Sequence, residues 1–120
     1  MKVKVTPSKV HGNVKIPASK SMAHRALICA SLSDGTSLVS NVTNSKDIEA
    51  TVGCMKALGA IIKQIDETTY EVTGTNLFKQ EGNITCNANE SGSTLRFLIP
   101  LAACTNAKVK FLGQGRLLQR

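Results

Sequence analysis

The chain has 120 residues, of which 42% are hydrophobic and 19% charged with both signs mixed. That is enough for one domain with a packed core and excludes a disordered chain. Lys and Arg number 15 against 8 Asp and Glu, a net charge of +7, which favours an anionic partner. Aromatic residues make up only 3% and no run of consecutive Lys or Arg occurs, so there is little to stack on bases and no arm to track a nucleic-acid backbone. The basic residues are scattered, and the informative ones sit beside Ser and Gly. A small phosphate or carboxylate ligand suits that distribution, although a solvated basic surface accounts for most of the fifteen. Cys29, Cys54, Cys86 and Cys104 form no C-x-x-C pair, so no zinc or redox motif is expected, and three of them read as small core residues in apolar stretches. Met1-Lys2-Val3 opens without an apolar signal region, and no apolar stretch approaches membrane-spanning length, so a cytoplasmic protein with no membrane partner is the expectation.

Val3-Lys4-Val5 alternates and Thr6-Pro7-Ser8 breaks it; Val10 to Ile16 reads as a second short strand. Pro17-Ala18-Ser19 opens a helix from Ser21 to about Leu32, apolar at Ala23, Ala26, Leu27 and Ala30, which Ser33-Asp34-Gly35 stops. Thr36 to Val42 is a strand. Asn44-Ser45 caps a helix from about Lys46 to Leu58, closed by Gly59. Ile61-Ile62 and Thr69 to Thr73 pair around Asp66-Glu67, and Ile84 to Cys86 is a further strand. Asn87 to Asn89 leads into a helix from about Ser91 to Cys104, followed by a strand at Val109 to Leu112 and a Gly113-Gln114-Gly115 loop. The order is an α/β pattern. When Ser21 is placed on Gly92, Arg25-x-Leu27-Ile28 falls on Arg96-x-Leu98-Ile99 and the flanking strands coincide, so the chain reads as a repeated βαβαββ unit that stops part-way into its second copy. The expectation is a fragment of a longer protein.

Three segments offer anion chemistry. In Ser19-Lys20-Ser21-Met22-Ala23-His24-Arg25, a helix start presents free N–H groups and positive potential beside Lys20, with Ser21 and Arg25 one turn apart on one face. Together they offer amides, a hydroxyl, an ammonium and a forked guanidinium to one anion. The residues alone leave open that Ser19 only caps the helix while Lys20 and Arg25 are solvated. Asn89-Glu90-Ser91-Gly92-Ser93-Thr94-Leu95-Arg96 repeats the arrangement, with Gly92 allowing close approach to the backbone, Ser93 and Thr94 adding hydroxyls and Arg96 standing where Arg25 stood. The third segment, Gly113 to Arg120, places Arg116 and Arg120 one turn apart if a helix starts there. Each of these follows a strand, and loops at the carboxyl ends of parallel strands gather at one edge. Asp47, at the start of the second helix, joins them or else complements the helix dipole. His24 is read as an exposed helix position, with contact to the ligand as the alternative, and no metal site is expected.

These residues resemble a known family. Pro17-Ala18-Ser19-Lys20-Ser21 followed by Arg25-Ala26 resembles the P-x-S-K-S-x-x-x-R-A signature of 5-enolpyruvylshikimate-3-phosphate synthases; Glu90 to Arg96 resembles their N-[A/S]-G-T-x-x-R signature, and Gly113-x-x-Arg116-x-x-x-Arg120 their third. The UDP-N-acetylglucosamine enolpyruvyl transferases, which carry A-K-N in place of Ser19-Lys20-Ser21, rank second, and an inactive anion-binding fragment is the further alternative. The resemblance implies two lobes of three βαβαββ units each (an inside-out α/β barrel), with residues 1–16 forming strands of the other lobe and 17–120 belonging to the N-terminal lobe. It implies a monomer that transfers the enolpyruvyl group of phosphoenolpyruvate to the 5-hydroxyl of shikimate 3-phosphate without metal or organic cofactor. Lys20 would contact both substrates; Ser21 and Arg25 would hold shikimate 3-phosphate; Gly92 and Arg120 would hold phosphoenolpyruvate with help from Arg96; Ser93 would be a further substrate-binding residue, and Asp47 would support. Glu90 departs from the family's Asn and would need a cationic partner beside an anion site; Phe97 replaces a common proline.

Overall fold

Three serines start the three α-helices. Ser19, Ser45 and Ser91 are extended, and each hydroxyl accepts the main-chain N–H three residues on, from Met22 at 3.3 Å, Ile48 at 3.3 Å and Thr94 at 3.2 Å. The helices that follow are α1 (Lys20–Leu32), α2 (Lys46–Ala57) and α3 (Gly92–Ala102). The computed structural model describes residues 1–14 and 16–119. Five strands complete the α/β architecture: β1 (Thr36–Val39), β2 (Ile61–Gln64), β3 (Tyr70–Thr73), β4 (Asn83–Asn87) and β5 (Lys108–Leu112). Two 3₁₀ turns, Leu77–Lys79 and Gly115–Gln119, were not read from the sequence as elements.

The first sheet has the order β1-β3-β2, with β3 antiparallel to both neighbours. β2 and β3 form the expected hairpin, whose turn is held by Thr68 N–H donating to Asp66 Oδ1 at 2.8 Å. β4 and β5 form a separate parallel pair with Asn87 opposite Leu112 and α3 as the crossover. Only this second pair therefore follows the expected scheme of parallel neighbours. β1 ends at Val39, short of the expected Val42, because Asn41 takes a left-handed conformation (φ 58°).

Ala23, Leu27 and Ile28 of α1, Ile48, Cys54 and Met55 of α2, and Leu98 of α3 recur at helical spacing and meet Val72 and Cys86 in one core. Gly59 closes α2 with φ 101° in a Schellman arrangement: Gly59 N–H donates to Lys56 O and Ala60 N–H to Met55 O, both at 3.0 Å. Gly74 sits where a Cβ would overlap the carbonyl oxygen of Ser33, so the chain leaving β3 runs directly beneath the end of α1.

The two strands expected at Val3 to Val5 and Val10 to Ile16 are not formed among the described residues. Residues 1–14 have no strand partner, and Val3, Val5, Val10 and Val14 are exposed. Alternation alone does not make a strand; it needs a pairing edge and a face to bury against. Of the four cysteines, Cys54 and Cys86 are buried while Cys29 and Cys104 are exposed, so the core takes two rather than three. No helix of the described residues is long and apolar enough to cross a membrane.

Candidate functional site

The starts of α1, α2 and α3 meet at one end of the molecule. Lys20, the first residue of α1, donates its ammonium to Asp47 Oδ2 at 2.6 Å, joining α1 to the first turn of α2. Asp47 thus combines both readings offered for it: an acid in the first turn of a helix, and a member of the cluster. Its main-chain carbonyl accepts from Thr94 Oγ1 of α3 at 3.3 Å. Arg25, one turn into α1, lies over the ring of Phe97 on α3, 4.9 Å from guanidinium carbon to ring centroid, and donates to Ser21 O at 2.8 Å. Lys20, Ser21 and Arg25 therefore share an end with Gly92 and the first turn of α3, and the Phe97 ring is the platform for Arg25.

The loops after the parallel strands add a second wall. Ala88 N–H donates to Leu112 O and Gln114 N–H to Asn89 O, both at 2.8 Å, so the segments leading to α3 and to the last 3₁₀ turn lie side by side. A cleft of about 470 Å³ opens there, lined by Lys46, Asp47, Glu49, Asn89, Glu90 and Gln114. Three carboxylates face it against one ammonium, so the cationic side of the site is the α1 side. Glu90 has no cationic partner within ion-pair distance among the described residues; its carboxylate lies against Gly115, where a Cβ would overlap Oε1. Gly115 takes φ 57°, which suits a residue without a side chain.

Not every sequence-predicted residue joins the cluster. Arg96 repeats Arg25 in position but not in contacts: it is exposed and makes no ion pair or side-chain hydrogen bond among the described residues. Ser93 is likewise exposed on the first turn of α3, Arg116 lies in the 3₁₀ turn, and Arg120 lies outside the described residues.

Sequence reasoning missed one feature. His24 is buried rather than exposed, and its Nδ1 is 2.7 Å from Thr51 Oγ1 of α2. Thr51 Oγ1 is 2.7 Å from Thr94 Oγ1 of α3, which donates to the capping Ser91 Oγ at 2.7 Å. All four side chains are buried, forming a polar thread through the three helix starts. Helical spacing held the signal: His24 lies on the same stripe as Leu27 and Ile28, Thr51 on that of Ile48 and Met55, and Thr94 on that of Leu98. Burial holds the His24 imidazole below its ordinary pKa; the Asp47 carboxylate pulls it up, and Lys20 and Arg25 push it down. Among the described residues no group of three or more His, Cys, Asp or Glu is placed to hold a metal ion.

This end of the molecule has known counterparts. The family model for EPSP synthase (3-phosphoshikimate 1-carboxyvinyltransferase) matches residues 4–120. A 3-phosphoshikimate 1-carboxyvinyltransferase of Clostridium perfringens (strain SM101 / Type A) is 52% identical over 119 residues, covering 99% of this chain and 28% of that protein. Its counterpart in Clostridium kluyveri is 49% identical over 118 residues, covering 98% of this chain and 27% of the relative. The EPSP synthase from Acinetobacter baumannii superposes with a TM-score of 0.79 over 91% of this chain and 25% of that one, at 19% identity, a likeness of fold. The chain thus spans a little over a quarter of the length of the curated relatives it matches. With the family model matched from residue 4 to the last residue and half the positions identical to these relatives, the chain belongs to the EPSP synthase family.

Proposed function

We propose that this chain supplies the N-terminal part of an enzyme that transfers the enolpyruvyl group of phosphoenolpyruvate to the 5-hydroxyl of shikimate 3-phosphate, releasing phosphate. The observation that carries the reading is the convergence of three serine-capped helix starts with Lys20 and Arg25 on one side. Free amides at helix starts and fixed cations are what two anionic substrates require for positioning and charge stabilisation. In this reading Lys20, steered by Asp47, contacts both substrates, while Ser21 and Arg25 hold shikimate 3-phosphate. Gly92 and Ser93 present the start of α3 to phosphoenolpyruvate, with Arg96 and Arg120 closing on it. Lys20 and Asp47 are both partly exposed, so their ion pair is weak enough for a phosphate or carboxylate to compete with it. The names of the relatives favour this substrate over a UDP-sugar acceptor.

The same reading assigns residues 1–16 to strands of a second lobe, which accounts for an alternating segment that finds no partner here, and residues 17–120 to the N-terminal lobe. The test is phosphate release by the full-length protein with both substrates. Arg25→Ala is expected to weaken shikimate 3-phosphate binding by roughly 1.5–3 kcal/mol, the range for a charged hydrogen bond, with a smaller effect on phosphoenolpyruvate. Unchanged affinity for both substrates would remove the assignment.

A further inference from the structure

We propose that His24, Thr51 and Thr94 are positioning residues, whose buried imidazole–hydroxyl thread sets the registry of the three helix starts that form the anion site. The inference rests on the proposed enolpyruvyl-transfer reading of that site. Around these side chains the core is apolar, with Leu27, Ile48, Met55 and Leu98 fully buried, and aliphatic residues of equal volume would fill the same space. A buried polar thread in such a place adds geometric specificity more than stability. Apolar ridges tolerate small slips between helices; hydrogen bonds of 2.7 Å between side chains with few rotamers do not.

Thr94 is the node. Its hydroxyl reaches the hydroxyl of the α3 cap, Ser91, and the carbonyl of Asp47, whose carboxylate steers Lys20. Carbonyl oxygens only accept, so the one Thr94 proton goes to Ser91 Oγ at 2.7 Å or to Asp47 O at 3.3 Å. With that proton so engaged, the thread closes when Thr51 donates to Thr94 and the His24 tautomer protonated at Nδ1 donates to Thr51. The same thread ends one residue before Arg25. Lys20, Arg25 and the start of α3 are thereby tied to one another without any of the thread's side chains having to touch a substrate.

The experiment compares Thr51→Val, which removes the hydroxyl at nearly equal volume, with Thr51→Ser, which keeps it, in the full-length protein. Thr51→Val is expected to stay folded and to lose about tenfold in kcat/KM for both substrates, mainly through KM, the equivalent of one ordinary buried hydrogen bond left unmade. Thr51→Ser is expected to recover to within about threefold of the parent. Melting curves are recorded alongside, and rates are measured well below every melting temperature, so that instability alone does not move KM. Should Thr51→Val fail to fold, His24→Leu against His24→Asn reads the thread from its other end, since the Asn amide places a polar atom near the Nδ1 position; Leu must lose activity and Asn keep it. Equal kcat/KM within either pair overturns the inference. Arg25→Ala, assayed in parallel, separates the two proposals: loss there with none in Thr51→Val leaves the function standing and removes only the thread.

Discussion

His24 is buried beneath two cations. Moving it from water into the core disfavours the imidazolium; Asp47 opposes that shift, and Lys20 and Arg25 add to it. Its folded-state pKa therefore lies below the unfolded value of 6.5, so unfolding takes up a proton in the window between the two. Stability is fully present above 6.5, falls as the pH drops through that window, and stays reduced below the folded-state pKa. Melting temperatures of the full-length protein and of His24→Asn, compared from pH 8 to pH 5, are expected to diverge on the acid side, with the parent losing more; parallel curves would show that another group governs the acid limb. Gly74 is held by contact rather than by charge. At Gly74 the atom in the way is the Ser33 carbonyl, which belongs to the backbone and cannot swing aside. Gly74→Ala is expected to lower stability by roughly 1–3 kcal/mol or more, read by denaturant titration.

At the scale of elements, the serine caps were open to reading in advance because Ser and Asn before an apolar stripe have few other local uses. The helix limits accordingly fell within a few residues of those expected, and the β2–β3 hairpin was marked by Asp66. The partners across elements were not legible. Periodicity places His24, Thr51 and Thr94 on inner faces, but only the crossing of three helices puts 2.7 Å between their polar atoms. Arg25 and Arg96 looked equivalent along the chain, yet among the described residues Arg25 alone of the two has an aromatic ring opposite it. Gly59 illustrates how an end signal and a contact coincide. A Cβ there would meet Gln80 Nε2 at 2.6 Å and Thr75 Oγ1 at 2.8 Å, in addition to the left-handed strain. Gly59→Ala is expected to cost about 1–2 kcal/mol from backbone conformation alone, with Gln80 displaced from its 3.1 Å hydrogen bond to Thr75; an unchanged denaturation midpoint would contradict this.

At the scale of the molecule, the Cα radius of gyration of 17.6 Å exceeds the roughly 14 Å of a compact chain of this length. The valines of the first residues face solvent rather than the core. Composition alone had foreseen a packed core but not that these valines would lie outside it, because a strand signal says nothing about where its partner is. The 120-residue chain by itself is expected to release no phosphate from the two proposed substrates, since its relatives extend over more than three times its length; measurable turnover would place the whole of the proposed chemistry within these helix starts. The parallel pair β4–β5 carries a consequence for how the gene can vary. One added residue in either strand would push the following loop along by about 3.3 Å and turn its side chains to the opposite face. That would pull Gln114 N–H from the Asn89 carbonyl. Length changes are therefore poorly tolerated between Asn83 and Asn89, where the spacing of β4 sets the position of the loop that leads into α3.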